Sequence, residues 1–214
     1  MKKIISIMLL LALSLSLLVS CGELEYDEAE VSAAAKELIP KTEEINNIYW
    51  GPGIGYTSDL STSNGYYFEA LITDLDKYGI KTIDDLKKKT EAVFSASYCE
   101  NIFATKLNSV SDEDGVYSYA RYYQKYSDAN QTVPDTIMVY TKAIVLLSDG
   151  VEYLTDTLKV EYSDRERVYV TLDVKVTRGD ESQIRSLTVG LVPGDNGWRI
   201  DTPTYISFDK DYNK

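Results

Sequence analysis

Arg167-Val168-Tyr169-Val170-Thr171-Leu172-Asp173-Val174-Lys175-Val176 decides the fold class. Val168, Val170, Leu172, Val174 and Val176 fall on one parity, Tyr169, Thr171, Asp173 and Lys175 on the other. A period of two with one apolar side marks a strand that buries a single face. Downstream, Pro193-Gly194-Asp195-Asn196 supplies turn chemistry between residues 184–192 and 197–202, and the latter stretch puts Trp198 and Ile200 on one side. With residues 158–162 upstream, the run 158–205 reads as an antiparallel sheet that needs a cover.

The cover is sought towards the N-terminus. From Glu28, the residues Val31, Ala34, Ala35 and Leu38 recur at helical spacing, and the series resumes after Pro40 at Ile45, Ile48 and Tyr49. Pro40 either kinks one long helix or opens a second, and the helical segment is expected to end before Gly51-Pro52-Gly53. Gly51-Pro52-Gly53-Ile54-Gly55 is a connection: no strand precedes it and no Lys-Ser or Lys-Thr follows, as a phosphate-binding loop requires. Residues 66–71 suggest a short strand.

Thr82-Ile83-Asp84-Asp85 carries an N-cap with an acid in the box position, and Ile83, Leu86, Thr90, Val93 and Phe94 line the face behind it. Ser97-Tyr98-Cys99-Glu100 suggests a second capped helix directing Ile102, Phe103 and Leu107 inward. Helices meeting near Ser95 are candidates to cover the sheet. Strands are then expected at 116–126, where Tyr117, Tyr119, Tyr122, Tyr123 and Tyr126 crowd together, and at 137–147. Tyrosines at this density form either a half-buried strand or a platform for sugars or proteins. Helices first and strands later make the class α+β, with N-terminal helices on one face of a curved antiparallel β-sheet.

Residues 1–20 stand apart. Lys2 and Lys3 precede an apolar run, 4–19, that is shorter than the roughly 20 residues of a spanning helix and has the layout of an export signal. Leu18-Val19-Ser20-Cys21-Gly22 matches a bacterial lipobox, in which Cys21 takes a thioether-linked lipid and becomes the mature N-terminus. The expected organisation is a lipoprotein signal peptide at 1–20, a lipidated tether at 21–27, one α+β domain at 28–206 and a polar tail at 207–214. The expected location is the outer face of the cytoplasmic membrane of a Gram-positive-type envelope, with the lipid on Cys21 as the membrane contact.

The chain of 214 residues carries a formal charge of -12, and losing residues 1–20 removes two lysines and no acid, which leaves -14. Such a surface suits a basic partner and disfavours nucleic acid. Histidine is absent, which removes the commonest general base and the commonest zinc ligand. Ser111-Asp112-Glu113-Asp114-Gly115 lacks the ligand spacing of a calcium loop and reads as a turn. No catalytic, metal or cofactor residue is nominated, and the chain reads as a binding protein, not an enzyme. With Cys21 lipidated, Cys99 stands alone on an apolar helical stripe and reads as a buried thiol.

Tyr66-Tyr67-Phe68, Lys81-Thr82-Ile83-Asp84-Asp85-Leu86-Lys87, Val93 through Ile102, and the closing Asn196-Gly197-Trp198-Arg199-Ile200, with the lipobox and a helix ending in Ile48-Tyr49-Trp50, carry a resemblance. Together they resemble exported proteins of the cell-wall DL-endopeptidase inhibitor family (the IseA type). The ending alone is also similar to proteins of the nuclear-transport-factor-2-like (NTF2-like) cone fold, a cystatin-like α+β arrangement. The resemblance implies inhibition of a secreted NlpC/P60-type peptidoglycan hydrolase by occupation of its cleft. It also implies a binding loop between mid-chain strands, here 125–134 with Tyr126, Asp128 and Asn130. The alternative is an NTF2-like accessory domain whose small-molecule ligand sits between sheet and helices.

Overall fold

The computed structural model describes residues 24–60, 65–111, 117–126, 135–143 and 149–208. The expected signal segment, Cys21, the 112–115 acids, Asp128, Asn130 and residues 209–214 lie outside them.

Helix α1, Glu28–Trp50, opens on Asp27, whose carboxylate accepts from the amides of Ala29 at 2.8 Å and Glu30 at 3.2 Å. It is a single helix with Pro40 inside it, so the two-helix option falls away. Proline removes the N–H that would meet the Lys36 carbonyl, but Lys36 and Pro40 both face water, which takes the freed acceptor. Val31, Ala35, Leu38, Ile39, Ile45, Ile48 and Tyr49 form the buried stripe.

Three short helices follow: α2 (Ile72–Tyr78), α3 (Ile83–Glu91) and α4 (Ala96–Lys106). The pattern gives no warning of α2, which is stopped by Gly79 at φ 65°. α3 has the expected capping box, Asp85 N–H donating to Thr82 Oγ1 at 3.1 Å and Thr82 N–H to Asp85 Oδ2 at 2.9 Å. α4 begins two residues earlier than its sequence suggests, because Ser95 accepts from the Tyr98 amide at 3.1 Å. Ser97 is therefore in the first turn, and its hydroxyl is free for Asp201.

The C-terminal sheet is a meander of β6 (Gly150–Ser163), β7 (Val168–Arg178), β8 (Glu181–Gly194) and β9 (Gly197–Ile200), each antiparallel to the next. The expected β7 alternation is present: Val168, Val170, Val174 and Val176 are fully buried and Leu172 is 2% exposed. β6 starts well before its apolar stretch, and its ladder slips between Leu154 and Lys159. Thr157 bridges that slip, donating to the Leu154 carbonyl at 2.7 Å and accepting from the Asp173 amide at 2.8 Å. A slip of this kind breaks the period-two signal and hides the first half of the strand.

The mid-chain strands do not join this sheet. β1 (Tyr67–Glu69), β4 (Tyr122–Lys125) and β5 (Thr136–Tyr140) make a separate antiparallel sheet in the order β1-β5-β4, and β2 (Val110–Ser111) pairs with β3 (Tyr117–Ser118). The expected strand at 116–126 is thus broken into β3 and β4. The cover is corrected as well: α1 packs on β6, β7 and β9, whereas the α3–α4 junction adds to the sheet edge. Ser95 N–H donates to the Ile200 carbonyl at 2.8 Å, and Ile200 N–H to that of Val93 at 3.0 Å.

Both ends are docked further than their polarity suggests. Leu24 N–H donates to the Asp164 carbonyl at 2.9 Å. Phe208 N–H donates to Asp149 Oδ2 at 2.7 Å, and its carbonyl accepts from Arg185 Nη1 at 3.1 Å, so Ser207 and Phe208 belong to the fold.

Candidate functional site

The site grows from the C-terminus of α1. The last carbonyls of a helix lack intrahelical donors and carry its negative dipole end. Arg121, only 6% exposed, supplies both donors and charge: Nη1 reaches the Tyr49 carbonyl at 2.9 Å and Nη2 that of Gly51 at 2.6 Å. Its Nε donates to Tyr122 Oη at 3.0 Å, and that hydroxyl donates to the Ile48 carbonyl at 2.8 Å and accepts from the Ile54 amide at 3.1 Å. Burial raises the Tyr122 phenol above its ordinary range, with Arg121 opposing, so it stays a protonated donor. The loop fits around this clip because Gly53 takes φ 76° and has no side chain where Arg121 and Tyr122 sit.

Arg121 precedes and Tyr122 opens β4, which runs to Lys125 and ends beside Tyr126, 74% exposed. β5 resumes at Thr136 and pairs back, Lys125 opposite Thr136. The expected binding loop therefore joins two paired strands whose base is clamped to α1. Of its nominated residues, Tyr126 stands in solvent at the loop entrance, and Asp128 and Asn130 lie outside the described residues.

The tyrosine-rich stretch is divided between three roles. Tyr122 is core and Tyr126 is exposed at the hairpin. Tyr119 and Tyr123 join Tyr66, Tyr67 and Tyr140 in an array packed against the β1-β5-β4 sheet. Tyr67 lies opposite Tyr140 in the ladder, with ring centroids 5.2 Å apart. Tyr119 stacks on Tyr140 at 5.1 Å, Tyr66 meets Tyr119 at 6.0 Å, and Tyr67 meets Tyr123 edge-on at 4.8 Å. Tyr66 and Tyr119 remain 45% and 42% exposed. Lys142 holds its ammonium 4.4 Å above the Tyr66 ring, and Lys125 pairs with Glu69 at 3.3 Å on the same sheet. Cross-strand pairing of Tyr67 with Tyr140 is the part that local sequence conceals.

Elsewhere, Asp201 gathers donors from distant segments. It accepts from Ser95 Oγ, from Ser97 Oγ at 2.8 Å, and from Arg167 Nε at 2.8 Å and Nη2 at 2.7 Å. Burial pushes its carboxyl up, but the two hydroxyls and the guanidinium outweigh this and hold it below the usual aspartate range. These contacts fasten the α3–α4 junction to β7. A groove of about 660 Å³ beside it is lined by Glu91, Glu100, Asp195 and Arg199 among others. Cys99 also borders that groove, yet it is 2% exposed and burial drives its thiol up to about 12, as expected of a structural thiol. Among the described residues no cluster of three or more acids or cysteines is placed to hold a metal ion, and no helix is long and apolar enough to cross a membrane.

Comparison of the chain with models of protein families, with curated proteins and with solved structures finds no match.

Proposed function

We propose that this chain is an exported lipoprotein, held by lipid on Cys21 at the outer face of the cytoplasmic membrane, that binds and inhibits a secreted peptidoglycan DL-endopeptidase and so restrains cell-wall turnover. The observation that carries it is the β4–β5 hairpin, whose base is locked to α1 through Arg121 and Tyr122 while Tyr126 at its open end is 74% exposed. A recognition loop on a rigid base loses little further freedom on binding. The whole-chain charge of -12 steers it towards a basic cleft, and a lipid tether raises its concentration at the wall. The lack of histidine in the whole chain accords with a role in binding, not catalysis.

A ligand-binding domain of the NTF2-like kind is less well supported. Its pocket would open between sheet and helix, where Val168, Val170, Val174, Leu187, Val189 and Leu191 are already fully buried in one core with α1. The test is capture of purified NlpC/P60-type hydrolases by the chain at low and high salt. Retention that weakens with salt and is lost in Tyr126→Ala with Asp128→Ala and Asn130→Ala supports the hairpin contact. Failure to retain any of them refutes it.

A further inference from the structure

We propose that the end of the C-terminal sheet formed by Tyr162 and the β6–β7 turn is the face this protein sets against the lipid headgroups, held there by the few residues between Cys21 and Leu24. This orientation rests on the lipid at Cys21 proposed above, and it is separate from the hairpin contact.

The reach of the chain sets it. Leu24 is already part of the fold: its N–H donates to the Asp164 carbonyl at 2.9 Å, its own carbonyl accepts from Ser163 Oγ at 3.4 Å, and its side chain packs against the core. Asp27 is fixed as the cap of α1, so the expected tether of 21–27 is free over less than half its length. Three residue steps separate Cys21 from Leu24, and three steps of extended chain cover at most about 11 Å. A lipid on Cys21 therefore keeps the turn at 163–167 close to the bilayer surface.

The turn is built for such a place. Asp164 Oδ1 accepts from the amides of Glu166 and Arg167, each at 2.8 Å, and the Asp164 N–H donates to the Arg167 carbonyl at 2.9 Å. Tyr162, 56% exposed, stacks on Tyr169 at 4.7 Å, and Tyr169 Oη donates to Asp164 Oδ2 at 3.0 Å. A tyrosine with an apolar body and a polar tip suits the membrane–water interface. Charge points the same way. Asp164 and Glu166 cancel Arg165 and Arg167, whereas the exposed flank of α1 carries Glu28, Glu30, Glu37 and Glu43 against Lys36 and Lys41. An anionic leaflet repels that flank and tolerates the neutral turn. The domain thus stands on the β6–β7 turn instead of lying along α1.

The test uses the acylated protein, purified from membranes and placed in phosphatidylglycerol vesicles with a fluorescent acceptor on the headgroups. With Cys21 in its thioether and Cys99 buried, a donor dye goes only to Glu166→Cys in the β6–β7 turn or to Asp180→Cys in the β7–β8 turn. The eleven residues of β7 separate these turns. At about 35 Å apart, transfer from position 166 should exceed that from 180 about threefold or more. Inserting about twelve Gly and Ser residues after Glu23, a coil of about 20 Å, should erase most of the contrast. Equal or reversed transfer, or a contrast that persists with the longer tether, overturns the orientation. Mass spectrometry of Cys21 separates the two ideas: absence of acyl chains refutes the anchor and the orientation with it, whereas acylated protein with equal transfer refutes the orientation alone. Endopeptidase inhibition is scored on Cys21→Ser without vesicles, so its failure is distinguishable from both.

Discussion

Arg121 Nη1 donates to the backbone carbonyl of Tyr49 across 2.9 Å, joining the start of β4 to the last turn of α1. This cation, 6% exposed, has its charge met by the Tyr49 and Gly51 carbonyls at the C-terminal end of α1. Arg121→Ala strips the clip and leaves buried acceptors unpaired, and it should cost about 2–4 kcal/mol in denaturant unfolding. Arg121→Lys should recover only part, because one ammonium cannot span the same acceptors. A variant as stable as the parent would contradict this.

Gly53→Ala strikes the same clip from the other side. Its backbone is at φ 76°, and a β-carbon would stand 2.5 Å from Arg121 Nη2 and closer still to the Tyr122 hydroxyl. The left-handed backbone alone costs roughly 1–2 kcal/mol in a residue other than glycine, and the clash adds to it. Combined with Arg121→Ala, the loss should fall short of the sum of the two single losses, because both damage one contact. Strict additivity in unfolding experiments would separate them.

Asp201 sets an acid limb on stability. Its carboxyl titrates below the ordinary aspartate value in the folded chain, so its contribution is complete above about pH 4, the unfolded range, and fades as pH falls through the folded value. Asp201→Asn should lower stability at neutral pH and flatten the decline below about pH 4. An unchanged slope in acid denaturation would argue against the Ser95–Ser97–Arg167 cradle.

Features written into neighbouring residues were legible in the sequence, and features made by distant pairing were not. The β7 alternation and the Thr82–Asp85 capping box are local, and both appear as expected. The Ser97 cap is displaced because Asp201, far along the chain, claims its hydroxyl while Ser95 caps the helix. Pro40 stays within one helix on a face where both it and Lys36 are exposed, a matter of orientation, not local pattern. The division into two main sheets depends on Tyr67 finding Tyr140, and no strand pattern encodes its partner. Arg121 offered no signal either: inside a run of tyrosines a single arginine looks solvent-facing, whereas its place is under the end of α1.

Cys99 should resist thiol reagents while the chain is folded. Its thiol lies up at about 12 through burial, so at pH 8 scarcely any thiolate is present, and access is closed as well. In a Cys21→Ser background, labelling with a disulfide reagent should be absent natively and complete after unfolding. Rapid native labelling would place Cys99 at the surface.

The central claim is tested most directly by the rate at which an NlpC/P60-type DL-endopeptidase digests peptidoglycan in the presence of this chain. The parent should slow digestion in a dose-dependent way. Tyr126→Ala with Asp128→Ala and Asn130→Ala should restore the rate, while thermal melting stays that of the parent because Tyr126 is solvent-exposed. Undiminished digestion at saturating parent protein, across the secreted enzymes of this class, would contradict the inhibitor function.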